Sequence, residues 1–135
     1  MRVLIMGCGR VGAGLATQLT DEGHDVTVLD TDAFAFQRLL PEFPGRRLVG
    51  SGTDDRMLIE AGIREADCFI ALATGDNRNI LASQKAKEIY GVKTVVTRVK
   101  DPLRSELFAR LGIHTFSPTK VGVELAHEAI FQVGA

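Results

Sequence analysis

The sequence predicts an α/β fold, a doubly wound sheet of six parallel strands with helices on both faces. Three observations carry that reading. Short β-rich runs alternate with longer helical patterns along the whole chain, a glycine-rich turn joins the first strand to the first helix, and no low-complexity stretch or short-period repeat interrupts the alternation. At 135 residues the chain has the length of one domain, here taken as residues 1–135. Such a domain buries roughly two-thirds of its unfolded surface and needs no staples.

The elements follow in order. Residues 2–6 (RVLIM) are an apolar strand, and a helix over 11–22 follows the turn. Residues 25–29 form the second strand, 32–40 the second helix and 46–49 the third strand. A helix over 54–61 leads to the fourth strand, 67–73, which contains the longest wholly apolar run of the chain. A helix over 77–90, a strand over 94–99, a helix over 103–111, a strand over 113–116 and a last helix over 120–133 complete the series. Asp32, Thr53 and Asp76 stand where helix N-caps are expected. Gly23, Gly62, Gly91 and Gly112 each follow a helical run, where glycine adopts the left-handed stop. Right-handed crossovers between successive parallel strands then lead to the doubly wound sheet.

Composition excludes several classes of function. Sixteen basic against 17 acidic residues give a formal net charge of −1 with no long run of either sign, so there is no electrostatic footprint of a nucleic-acid binder. Two cysteines, Cys8 and Cys68, make no disulfide framework and suit a reducing, cytoplasmic setting. No apolar run approaches the length of a bilayer span, so direct membrane insertion is not expected.

The turn Gly7-Cys8-Gly9-Arg10-Val11-Gly12 matches G-x-G-x-x-G, and its setting adds weight to an otherwise weak motif. It follows an apolar strand, opens an amphipathic helix, and precedes Asp30, 18 residues after Gly12 at the end of the second strand. In this Rossmann-like arrangement Gly7 permits the sharp turn, Gly9 lets backbone amides approach a pyrophosphate, and Gly12 lets the helix pack on the strand. The phosphates then meet the positive end of the helix dipole. Asp30 accepts hydrogen bonds from ribose hydroxyls, and its charge opposes a 2′-phosphate. Thr31, itself a candidate at the cofactor site, and Asp32 bring no arginine to receive one, so NAD is favoured over NADP. The ribose of ATP, ADP or AMP fits the same carboxylate equally well. Arg10 in the first turn and Arg98 near the end of the fifth strand are candidates for phosphate contact, with a solvated surface arginine as the alternative for each.

Taken with later segments, these residues resemble the TrkA N-terminal domain, also called the RCK or KTN domain. The matching pieces include Val28-Leu29-Asp30, Gly50-Ser51-Gly52-Thr53-Asp54, Ala71-Leu72-Ala73-Thr74 through Asn79, Thr97-Arg98-Val99-Lys100-Asp101-Pro102 and Ser117-Pro118, which together cover nearly the whole chain. The resemblance implies a regulatory subunit that binds NAD(H), ATP or ADP. It further implies a homodimer or higher ring that sits in the cytoplasm, peripheral to the membrane, and gates a separate potassium transporter or channel subunit. It implies that Ser51, Gly52 and Thr53 line the adenosine side of the pocket, that Ala73, Thr74 and Arg98 close the crevice, and that Arg10 reaches phosphates. Two positions depart from the family pattern. Ser51 and Gly52 stand where the family often has aspartate and alanine, and Pro118 is followed by Thr119-Lys120 rather than an acidic cation ligand, so no metal is expected there. Many members continue into a second, smaller ligand-binding subdomain, so a one-domain regulator and a fragment of a longer protein both fit.

Hydride-transfer chemistry would need a substrate pocket and a proton-handling group beside the nicotinamide. The six strand–helix units occupy the chain, Tyr90 and Lys93 are three apart rather than four, and His24, His114 and His127 lie on separate elements. A non-enzymatic sensor is therefore expected. The alternative is a small NAD-dependent oxidoreductase whose catalytic part is truncated or comes from a partner. A redox-sensing repressor would need a helix-turn-helix, for which there is no pattern. Cys8 at a helix start is read as a small buried side chain rather than a reactive thiol. In the last helix Val121, Val123, Leu125, Ala126, Ala129, Ile130 and Val133 spread over about 200°, wider than one core-facing stripe, with Phe131 outside even that arc. An oligomer surface is expected there, against the alternative that the helix curls over the sheet edge.

Overall fold

The computed structural model describes residues 1–133; the side chain of Val133, counted above in the last helix's apolar arc, lies outside the described residues. Six parallel strands form one sheet: β1 (Arg2–Met6), β2 (Asp25–Asp30), β3 (Arg46–Val49), β4 (Cys68–Ala71), β5 (Thr94–Arg98) and β6 (His114–Phe116). Their spatial order is β3-β2-β1-β4-β5-β6, so the winding reverses between β1 and β4. The helices are α1 (Arg10–Asp21), α2 (Asp55–Glu60), α3 (Asp76–Gln84), α4 (Pro102–Arg110) and α5 (Pro118–Val133).

The two central strands are apolar on both faces because both faces are covered. Val3, Leu4, Ile5 and Met6 are all buried, and so is every residue of β4. Leu4, Met6, Leu29, Phe69 and Val95 pack under α2, α3 and α4 with Leu58, Ala82 and Phe108. Val3, Ile5, Val26, Val28 and Ile70 pack on the other face with Ala13 and Ala16 of α1 and with Ala35 and Leu39. Each fully buried aliphatic side chain is worth roughly 1.5–3 kcal/mol relative to exposure, so the two layers carry the fold.

Three expected helices differ locally from the sequence expectation, and the fourth strand is shorter, Cys68–Ala71. The second helix is a single 3₁₀ stretch, Ala33–Arg38, capped by Asp32, whose carboxylate accepts from the Phe34 amide. The cap of α2 is Asp54 rather than Thr53, because the Asp54 carboxylate accepts from the Arg56 amide. Asp76 is the first residue of α3 rather than its cap, and its carboxylate accepts from the amides of Lys100 and Asp101 instead. The helix read over 77–90 is α3 followed by a π-helical turn, Lys85–Ile89. The glycine stops are as expected: Gly23, Gly62, Gly91 and Gly112 have φ of 89°, 93°, 65° and 81°.

Helix α5 does not curl over the sheet. Every residue from 119 to 132 is exposed, including Leu125, Ile130 and Phe131 at 60%, 66% and 66%. On the α1 side of the sheet, Val96 and Phe116 of β5 and β6 are only partly buried. No helix among the described residues is long and apolar enough to cross a membrane.

Candidate functional site

Where the winding reverses, the loops after β1 and β4 leave in opposite directions, and a crevice opens at the carboxyl ends of the strands. The turn after β1 is shaped by its glycines. Gly7 has φ of 106°, and a Cβ there would lie 2.7 Å from the Leu72 backbone, so only glycine lets this turn approach the end of β4. At Gly12 a Cβ would come within 1.9 Å of the Gly7 carbonyl oxygen, so the start of α1 sits against the turn itself. The Gly7 amide donates to the Leu29 carbonyl at 2.7 Å, locking the turn to the end of β2.

Asp30 ends β2 with its carboxylate already oriented. One oxygen accepts from the Cys8 amide and the other from the Asp32 amide, both at 2.8 Å. Each carboxylate oxygen keeps further acceptor capacity for a ligand hydroxyl. Beside it lies a slot floored by Met6 and Leu29 and walled by Gly7, Gly50, Ser51, Gly52, Thr53 and Ala73, with Thr31 and Arg78 completing the rim. The Ser51 and Thr53 hydroxyls lie 2.8 Å apart, and the Thr53 amide donates to Ser51 Oγ.

Seven of the residues singled out from the sequence thus meet at this slot: Gly7, Asp30, Thr31, Ser51, Gly52, Thr53 and Ala73. Gly9 precedes α1 as its N-cap, and Arg10, Val11 and Gly12 form its first turn, with Arg10 and Val11 exposed and Gly12 buried. Thr74 lines an adjoining hollow with Gly75, Asp76, Asn77, Arg78 and Arg104. Arg98 is half-buried, and its Nε makes no hydrogen bond among the described residues. The Cys8 side chain is fully buried in the α1-side core, where burial first and the Asp30 charge second push its thiol above the ordinary range. Its side chain thus packs in the core, while its backbone amide faces Asp30.

Three residues of this region are given no role at the site by the sequence. Asn79, wholly buried on α3, accepts from the Ala73 amide at 2.8 Å and donates to the carbonyls of Ala73 (2.8 Å) and Arg98 (3.1 Å), so one side chain ties the ends of β4 and β5 together. Lys85 donates to the Thr53 carbonyl at 2.9 Å and to Asp55 at 3.1 Å, and the Tyr90 hydroxyl reaches the other Asp55 oxygen at 2.6 Å. The π turn carries Lys85 and ends beside Tyr90, so it anchors the 51–53 loop from outside. The third is Arg78, the cationic residue of the slot. The sequence signal for Asn79 was a polar residue sharing a buried helix face with Ala82 and Ser83. An arginine does approach the glycine turn from beyond Thr31-Asp32: Arg38 lies 3.5 Å from the Cys8 carbonyl.

Comparison with known proteins agrees with this fold. The family model described as the TrkA-N domain matches residues 3–118. A relative from Streptomyces coelicolor named "Trk system potassium uptake protein TrkA" is 48% identical over 120 residues, covering 89% of this chain and 54% of that protein. The chain thus spans about half the length of this relative. Among solved structures, the Shewanella denitrificans Kef CTD in AMP-bound form has a TM-score of 0.83 at 21% identity, covering all of this chain and 83% of that one. The GsuK channel bound to NAD has a TM-score of 0.71 at 22% identity, covering 87% of this chain and 21% of that one. At these identities the two structures establish the shared fold.

Proposed function

Because the chain belongs to the TrkA-N domain family, we propose that it is the nucleotide-binding regulatory module of a potassium uptake system, binding NAD(H) or ATP/ADP without turning them over. The observation that carries this reading is the slot at the winding reversal, with Asp30 held by two backbone amides at its edge. Ribose hydroxyls would bond Asp30, and the phosphates would lie over Gly9 to Gly12 at the positive end of α1. The AMP- and NAD-bound forms of the two structural neighbours support one pocket serving both kinds of nucleotide.

Calorimetric titration with NAD, NADH, ATP and ADP tests the proposal, alongside an NADH-oxidation assay. Saturable binding with no oxidation is the expected result. Binding of none of the four would remove the nucleotide role, and steady NADH oxidation would turn the reading to an oxidoreductase. Arg10 stands at the phosphate end, so Arg10→Ala should weaken ATP more than AMP. An equal loss, or none, would make Arg10 a solvated surface residue.

The module would act in the cytoplasm at the inner face of the membrane, through a transporter or channel subunit rather than by insertion. A second copy would complete it. The uncovered α5, with Leu125, Ile130 and Phe131 exposed, and the partly buried Val96 and Phe116 present apolar side chains of the kind an interface covers. Nucleotide would then bias the angle between copies, provided the two arrangements differ in affinity for it. Light scattering at micromolar concentration should give at least a dimer mass, and Phe131→Asp should shift it toward the monomer. A clean monomer insensitive to NAD, ADP and Phe131→Asp would rule out α5 as an assembly surface.

A further inference from the structure

In a nucleoside phosphate the base leaves the ribose at C1′ and the phosphates at C5′. With phosphates over the start of α1 and the ribose at Asp30, the base is directed the other way, into the slot between the 50–53 loop and Ala73. That slot has an apolar floor, Met6 and Leu29, and one cation on its lining, Arg78.

Arg78 lies in the first turns of α3 and is exposed. Its stem lies along Gly75: Cγ and Cδ stand 3.9 and 4.0 Å from where a Cβ on that glycine would be. The guanidinium has no hydrogen-bond or ion-pair partner among the described residues, whereas neighbouring Arg104 donates to Asn77 Oδ1 at 2.6 Å. The nearest acid in sequence, Asp76, is turned to the Lys100 and Asp101 amides and does not pair with it. Arg78 borders both the slot and the adjoining Thr74 hollow, so it stands between the two.

We propose that Arg78 recognises the base, laying the plane of its guanidinium against the face of a bound purine and closing the slot from the α3 side. This rests on the nucleotide-binding reading above. A guanidinium is flat, weakly hydrated and always charged, and it stacks on aromatic rings in a way an ammonium cannot reproduce. Arg78 therefore reads the ring, which all adenine nucleotides share, while Arg10 reads the phosphates, in which they differ.

Calorimetry of AMP and ADP against the unmodified chain, Arg78→Ala and Arg78→Lys separates these roles. Both variants should melt as the unmodified chain does, since Arg78 is exposed and unpaired. Arg78→Ala should weaken AMP and ADP by the same factor, about two- to thirtyfold, and Arg78→Lys should recover less than half of that loss on a logarithmic scale. A loss that grows from AMP to ADP would assign Arg78 to phosphate and overturn the proposal. An unchanged affinity for both would overturn it equally. If the unmodified chain binds neither nucleotide, the nucleotide-binding reading itself falls, a result distinct from either variant outcome.

Discussion

In Asp30→Asn, affinity for NAD and for ADP should fall together by about ten- to a hundredfold, the equivalent of roughly 1.5–3 kcal/mol for hydrogen bonds to a charged group. The parallel fall is the informative part, because a ribose contact is common to both ligands and a nicotinamide contact is not. Asparagine is the better probe than alanine. The carboxylate also accepts from the Cys8 and Asp32 amides, and alanine would leave both donors unpaired and release the glycine turn. Asparagine keeps one acceptor oxygen and removes the charge. Isothermal titration beside a thermal melt separates lost recognition from a loosened turn. Unchanged affinity for both nucleotides would remove Asp30 from the ribose.

The largest effect on stability is expected at Asn79. Its wholly buried side chain satisfies the Ala73 amide and two carbonyls. Asn79→Ala leaves those groups unpaired and opens a cavity. At about 1–3 kcal/mol for each unsatisfied buried group, two of them alone amount to roughly 2–6 kcal/mol. That is a large part of the 5–15 kcal/mol typical of a folded domain, so Asn79→Ala should melt on the order of 10 °C lower or fail to fold. Urea denaturation measures the difference directly. A change below about 1 kcal/mol would mean that the ends of β4 and β5 hold their spacing without this side chain.

How much of this was legible follows from how far each signal reaches along the chain. The strands, the four glycine stops and the glycine turn with Asp30 are local patterns, and the structure has them where the sequence put them. The departures are of two kinds. Some are one-residue ambiguities between equivalent groups, as with Thr53 and Asp54, either of which can cap α2. Others depend on partners far away in sequence. Asp76 looks like a cap until β5 brings the Lys100 amide, 24 residues on, to its carboxylate. The stretch after β2 carries helical spacing yet forms a single 3₁₀ segment. Asn79 ends a segment that resembles the family, but its backbone partners, Ala73 after β4 and Arg98 at the end of β5, are brought to it only by the fold. Arg78 was not visible at all, since a lone arginine in a helix is indistinguishable from a solvated one until the slot beside it is seen. Arg10 and Arg98, chosen from their places on the elements, lie outside the slot lining.

The order of elements along the chain also sets an order in time. All residues lining the slot lie between Met6 and Arg78, and β6 completes the sheet at Phe116, before α5 begins at Pro118. On a ribosome adding roughly 5–20 residues per second, the slot is therefore made and emerges seconds before the exposed helix does. The strands and loops that build the slot can leave the ribosome while the exposed helix is still inside the exit tunnel. The helix with Leu125, Ile130 and Phe131 on its surface then emerges attached to a body whose sheet is already complete.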